Sequence, residues 1–159
     1  MPDKVGKETV KAQLCGDSLN KKLYEAVAPS TVAVEVSLGV DDGGVGTGFF
    51  VGADGSASRI VTNAHVVMAG DNITVKHDNT KFQGRVLKID EVKDLALVEL
   101  LTADGAPAQG RALKLSDRAP LPGEPVWSLG HSGSSRSLVL SPGAVIKEGP
   151  RFNDPALYP

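Results

Sequence analysis

The chain has 159 residues with a net charge of −2, 41% hydrophobic and 23% charged, which suits a globular chain of one domain or two small lobes. A balance this close to neutral argues against a nucleic-acid or anionic-membrane partner. Aromatic residues make up only 4%, whereas there are 18 glycines and 10 prolines, so short strands joined by turns are expected rather than long helices.

The first residues, "MPDKVGKETVKAQLCGDS", are polar and charged. They lack the apolar centre of a secretory signal and are expected to form a flexible leader over 1–17. Cys15 is the single cysteine, so it has no internal disulfide partner and leaves the compartment undetermined. No stretch approaches the ~20 apolar residues of a membrane span. In "SLNKKLYEAVAPS", Leu19, Leu23 and Val27 fall four apart, predicting a short helix over 18–29 with Asp17 or Ser18 as N-cap and Pro29 as its end.

From Thr31 the period becomes two. "TVAVEV" places Val32, Val34 and Val36 on one face, "DDGG" over 41–44 reads as a turn, and "GTGFFV" over 46–51 as a second strand. "RIVTNA" is a third, "NITVKH" and "KFQGRVLKID" form a hairpin around "DNT", and "LALVEL" over 95–100 is a sixth. Six short strands with no helix between them predict an all-β fold built on a small antiparallel barrel, spanning 30–116. "ALKLS" (112–116), "PLPGEPVWSLG" and "SLVLSPGAVIKEG" read as a fresh set of strands, and 117–159 as an incomplete second barrel. Trp127 is expected to anchor its core. "GPRFNDPALYP" reads as a loop. The glycine-rich "DDGGVGTG" lacks the Lys-Ser/Thr and the following helix of a phosphate loop.

A lone histidine beside a strand is more often packed or solvated than reactive. His65, however, sits where "RIVTNAHVV" passes from strand to turn, a place from which a side chain can face a cleft. Asp94 opens the sixth strand 29 residues later. It is either a simple edge charge or a carboxylate held at the same cleft, where it would accept the imidazole Nδ1 proton and fix the ring's tautomer. His77 and His131 have no ligand spacing with each other or with His65, so both read as solvated loop residues and no metal site is expected.

Together, "GTGFFV", "RIVTNAHVV" and "NITVKHDNTKFQGRVLKIDEVKDLALVEL" resemble the first barrel of the trypsin-like serine proteases of the HtrA/Deg branch. "KLSDRAPLPGEPVWSLGHSGSSRSLVLSPGAVI" resembles the start of their second barrel. The likeness covers roughly residues 19–147. It implies a double β-barrel, His65 as general base and acid, Asp94 as its orienting carboxylate, and Gly46 and Gly48 as structural glycines beneath the histidine. It also implies polypeptide substrates and no cofactor; relatives are commonly in the bacterial envelope, but this N-terminus shows no export signal, so the compartment stays open.

The family's Gly-Asn-Ser-Gly-Gly-like segment, which brings the nucleophile and the oxyanion donors, has no counterpart here. "GHSGS" around Ser132 departs from the G-x-S-x-G elbow at Ser134, has no histidine after it, and aligns with an earlier loop of the family. Ser132 is therefore expected to be a loop residue and the triad serine to lie beyond Pro159, so that the chain alone is inactive. Val126, Leu129, Leu138, Val139, Leu140, Val145 and Ile146 are then expected to be poorly covered, awaiting a complementing C-terminal segment or a second copy. A non-catalytic alternative is a pseudoprotease that binds peptides at the exposed edge of its half-barrel.

Overall fold

The computed structural model describes residues 17–39, 42–52, 56–132 and 137–146. The expected leader, apart from Asp17, and the closing loop "GPRFNDPALYP" lie outside the described residues, as does Cys15. Helix α1 covers 17–27, and the chain tightens at Ala28–Ser30 into a 3₁₀ turn containing Pro29. Proline cannot supply the N–H that a continuing α-helix needs, and the α-helix gives way at Val27, two residues before Pro29.

Strands β1 (Thr31–Leu38), β2 (Asp42–Val51), β4 (Arg59–Thr62), β5 (Asn72–His77), β6 (Thr80–Asp90) and β7 (Leu95–Leu101) close into an antiparallel barrel in the order β1-β2-β4-β7-β6-β5. Closure is by β5 pairing back onto β1, with Val34 opposite Val75. Alternation sets the inside: Val32, Val34 and Val36 of β1, Ile73 and Val75 of β5, and Ala96, Val98 and Leu100 of β7 are all buried. Phe50 and Ile60 belong to the same core. A bulge between Val86 and Lys88 lets β6 bend around the cylinder and leaves Leu87 outside.

Several boundaries differ from expectation. Three residues of the expected turn "DDGG" are strand residues: Asp42, Gly43 and Gly44 pair with Leu38, Ser37 and Val36. β4 stops at Thr62, and Ala64–Val67 forms a one-turn helix, α2, with Ala64 and Val67 buried three residues apart. That helical spacing overrides the extended reading of "RIVTNA". Residues 112–116 form no strand. Instead β8 (Gly110–Arg111) pairs with the two-residue β3 (Ser56–Ala57), and the Leu113 N–H bonds the Phe50 carbonyl at 2.9 Å. Gly110 permits this, since a Cβ there would lie 2.2 Å from the Phe50 ring.

β9 (Pro125–His131) and β10 (Leu138–Ala144) make a separate antiparallel pair. None of its apolar side chains is buried: Val126, Val139 and Ile146 are exposed, and Leu129, Leu138, Leu140 and Val145 are half-covered. Trp127 does not anchor a second core. Its ring is half-covered, and its Nε1–H donates to Asn20 Oδ1 of α1 at 2.8 Å.

The helix α2 lies against β2, where Gly46 leaves the room: a Cβ at Gly46 would sit 2.7 Å from both γ-carbons of Val66. Gly46→Ala should therefore displace α2 and cost about 1–3 kcal/mol in denaturant unfolding. Gly44→Ala, with nothing within 4 Å, should change stability by no more than about 0.5 kcal/mol.

Candidate active site

The site starts from the end of β4. Thr62 is buried, and its hydroxyl donates to the Thr47 carbonyl of β2 at 2.8 Å, so the strand ends at a fixed height on the barrel wall. Asn63 is extended (φ −78°, ψ 145°), and α2 begins directly after it. Because Ala64 and Val67 point inward, His65 is turned outward, with 60% of its side chain exposed.

The first N–H groups of a helix have no partner within it. The Asn63 side chain supplies none. Asp94 does so from across the barrel rim: its Oδ1 accepts the His65 backbone N–H at 2.9 Å, and its Oδ2 accepts the ring Nδ1–H at 2.7 Å. One carboxylate thus grips the backbone and the ring of one residue, which fixes the side-chain torsions between them. A carboxylate oxygen can only accept, so Nδ1 is the protonated nitrogen and the lone pair of the neutral ring is on Nε2.

The turn that carries Asp94 is itself braced. Asp90 and Leu95 pair across β6 and β7, Asp90 Oδ1 accepts the Lys93 N–H at 3.0 Å, and the Asp94 N–H bonds the Glu91 carbonyl at 3.3 Å. Asp94 has φ of +53°, a left-handed conformation that Asp and Asn tolerate better than most residues. Its side chain is only 11% exposed. Burial pushes the carboxyl upward, but the bonds from the His65 backbone and ring, the charge of that ring and the Asn63 amide outweigh it, so it titrates below the usual carboxylate range.

The structure thus brings His65 and Asp94 together. It places the other histidines elsewhere and, contrary to expectation, neither is a solvated loop residue. His77 ends β5, where its Nε2 donates to the Pro29 carbonyl at 2.7 Å and its ring meets Phe50 edge-on at 5.3 Å. His131 ends β9 and is clasped by Thr47: its backbone N–H donates to Thr47 Oγ1 at 2.8 Å, and its Nδ1 lies 3.1 Å from the same oxygen. Burial lowers the His131 pKa. Ser132 follows, its N–H bonding the Ser137 carbonyl at 3.0 Å to close the β9–β10 hairpin. Residues 133–136, "GSSR", lie outside the described residues.

Among the described residues no three His, Cys, Asp or Glu side chains gather as a metal-binding group, and no helix is long and apolar enough to cross a membrane. A cleft of about 660 Å3 opens between α1, β1, β5 and the β9–β10 hairpin, lined by Tyr24, Ala33, Lys76, His131 and Leu138 among others. Neither His65 nor Asp94 lines it.

Asn63 and Thr47 escape a reading of the sequence. Their partners are 31 and 84 positions away, and nothing in either neighbourhood announces the pairing.

Residues 46–157 match the family described as trypsin-like peptidase domain. Two curated relatives from Mycobacterium tuberculosis, serine protease MT3772 (strain CDC 1551 / Oshkosh) and serine protease Rv3671c (strain ATCC 25618 / H37Rv), are each 30% identical over 113 residues. The match takes in 71% of this chain and 26% of each relative, so the chain spans about a quarter of their length. The crystal structure of the Rv3671c protease from M. tuberculosis in its active form superposes with a TM-score of 0.62 at 25% identity, over 76% of this chain and 49% of that one.

The lowered carboxyl has a signed consequence. An acid whose pKa is lower in the folded state adds stability that is complete above its unfolded value, about 3.9, and is lost as pH falls through the folded one. Asp94→Asn keeps the shape and the left-handed tolerance but not the charge. Wild type should be the more stable protein at pH 7, and the gap should close as pH drops below about 4. Thermal melts of both proteins from pH 7 to pH 2 would check this, and parallel curves would contradict it.

Proposed function

The chain belongs to the trypsin-like peptidase domain family, and from that premise we propose that it carries the acid–base half of a serine endopeptidase of the HtrA/Deg type. His65 Nε2 takes the proton of a serine hydroxyl as that oxygen attacks a peptide carbonyl. The ring, now positively charged, keeps its Nδ1–H on Asp94 Oδ2, and Nε2–H then passes to the leaving amine. Water repeats the cycle on the acyl-enzyme. Asp94 stabilises the charged ring and holds its tautomer without taking up the proton. No metal takes part in these steps. The observation that carries the proposal is the double grip of Asp94 on His65, at 2.9 Å to the backbone and 2.7 Å to the ring.

The serine and its oxyanion donors come, in this proposal, from a segment outside these 159 residues, since no Gly-x-Ser-Gly-Gly run occurs in the sequence. Ser132 is assigned to the hairpin that its N–H closes onto Ser137. The half-covered side chains of β9 and β10 are where the same segment would pack.

A second reading, a peptide-binding module without catalysis, is favoured by β10, which pairs only with β9 among the described residues and so offers a strand edge for β-addition. An ordered His65–Asp94 pair has no use in that role, so the peptidase reading is preferred.

A fluorophosphonate probe tests the proposal. The 159-residue chain should remain unlabelled. A chimera joining it to the nucleophile-bearing half of the M. tuberculosis relative should react, and His65→Ala should slow that labelling by about 10³-fold or more. Labelling of the chain alone that vanishes on Ser132→Ala would overturn the placing of the nucleophile.

A further inference from the structure

Asn63 occupies the N-cap position of α2, where an Asn side chain ordinarily accepts a backbone N–H of the first turn. It does not do so here. Its Nδ2 reaches instead across to the β6–β7 turn, 3.1 Å from the Asp94 backbone carbonyl and 3.2 Å from Asp94 Oδ2. A primary amide has two N–H groups, so one nitrogen can serve both acceptors. Capping has been exchanged between the two residues. Asp94 accepts the helix N–H, and Asn63, relieved of that task, holds Asp94.

The oxygen chosen is informative. Oδ1 is occupied by the His65 backbone N–H and Oδ2 by the ring, and Asn63 adds its donor to the oxygen that faces the ring. We propose that Asn63 is a positioning residue for the His65–Asp94 pair, fixing the rotation of the Asp94 carboxyl group and keeping the shared proton on His65 Nδ1. This rests on reading that pair as the acid–base centre.

Two physical effects produce the result. The torsion about a carboxylate's last bond is soft, and a contact that ties Oδ2 to the residue's own backbone carbonyl through one amide narrows it. A second donor on Oδ2 also reduces that oxygen's appetite for a proton, so the proton it shares with the imidazole remains on nitrogen. Within the same turn, Lys93 and Asp90 engage each other: Lys93 Nζ lies 3.9 Å from Asp90 Oδ2, and Asp90 Oδ1 accepts the Lys93 N–H. The donors to Asp94 offset the upward pull of burial, and Asn63 is among them.

The test reads Asp94 and His65 directly and needs no turnover. In 13C-carboxyl spectra, the Asp94 titration of Asn63→Ala should move to higher pH than in wild type, and the His65 Nδ1–H should exchange with solvent about five-fold faster, the equivalent of one hydrogen bond of about 1 kcal/mol. Asn63→Asp, which keeps the shape but lacks the donor, should move the titration the same way. Asn63→Gln, which restores an amide, should return both readouts toward wild type. Asn63 is exposed, so these variants should fold, and a melting curve for each confirms it. An unchanged Asp94 titration and exchange rate in both donorless variants would overturn the role of Asn63, provided that Asp94→Asn still abolishes the protected Nδ1–H. A protected Nδ1–H that survives Asp94→Asn would instead overturn the pairing on which the role rests.

Discussion

The structure turns on one carboxylate that binds two parts of the same residue. Asp94 meets the backbone of His65 with one oxygen and the imidazole with the other, and those two contacts join the ends of strands that are neighbours in the barrel but 29 residues apart in the chain. β4 and β7 pair directly, with Thr62 opposite Ala96, so the histidine that follows β4 and the aspartate that precedes β7 emerge at the same rim. The barrel supplies rigidity and the carboxylate supplies orientation. A single-turn helix such as α2 could not hold its own shape in water, since nucleation costs more than one turn returns. Asp94, Val66 against Gly46, and the buried Ala64 and Val67 keep it formed.

Much of this was legible because strand periodicity and charge placement act locally. The alternation of Val32, Val34 and Val36, or of Ala96, Val98 and Leu100, states which face is inside before any partner is known. His65 and Asp94 stood out because each interrupts or borders an apolar strand, where a polar group needs a reason. Other features depended on neighbours that local patterns do not name. Gly43 and Gly44 read as a turn but are drawn into β2 by pairing with β1. Leu113 sits in an alternating run, yet the backbone bond it makes is a single one to Phe50. Trp127, His77 and His131 depart from a local reading for the same reason, since their partners Asn20, Pro29 and Thr47 are remote in sequence.

Thr47 connects the two parts of the molecule. Its carbonyl accepts the Thr62 hydroxyl beneath the histidine, and its own hydroxyl meets both the backbone N–H and the ring of His131 on β9. The β9–β10 pair, with little buried apolar surface, is thereby attached to the strand on which α2 rests. The separation of labour is plain in the burial pattern: the closed barrel contains the buried core, and the second sheet presents half-covered Leu129, Leu138 and Leu140 to whatever packs there.

Membership of the trypsin-like peptidase family agrees with the barrel, and the proposed chemistry depends on which imidazole nitrogen holds the proton. Long-range 1H–15N spectra of histidine-labelled protein report that directly. His65 should be protonated at Nδ1, with a pyridine-like Nε2. A ring protonated at Nε2, with an unprotonated Nδ1 facing Asp94, would contradict it.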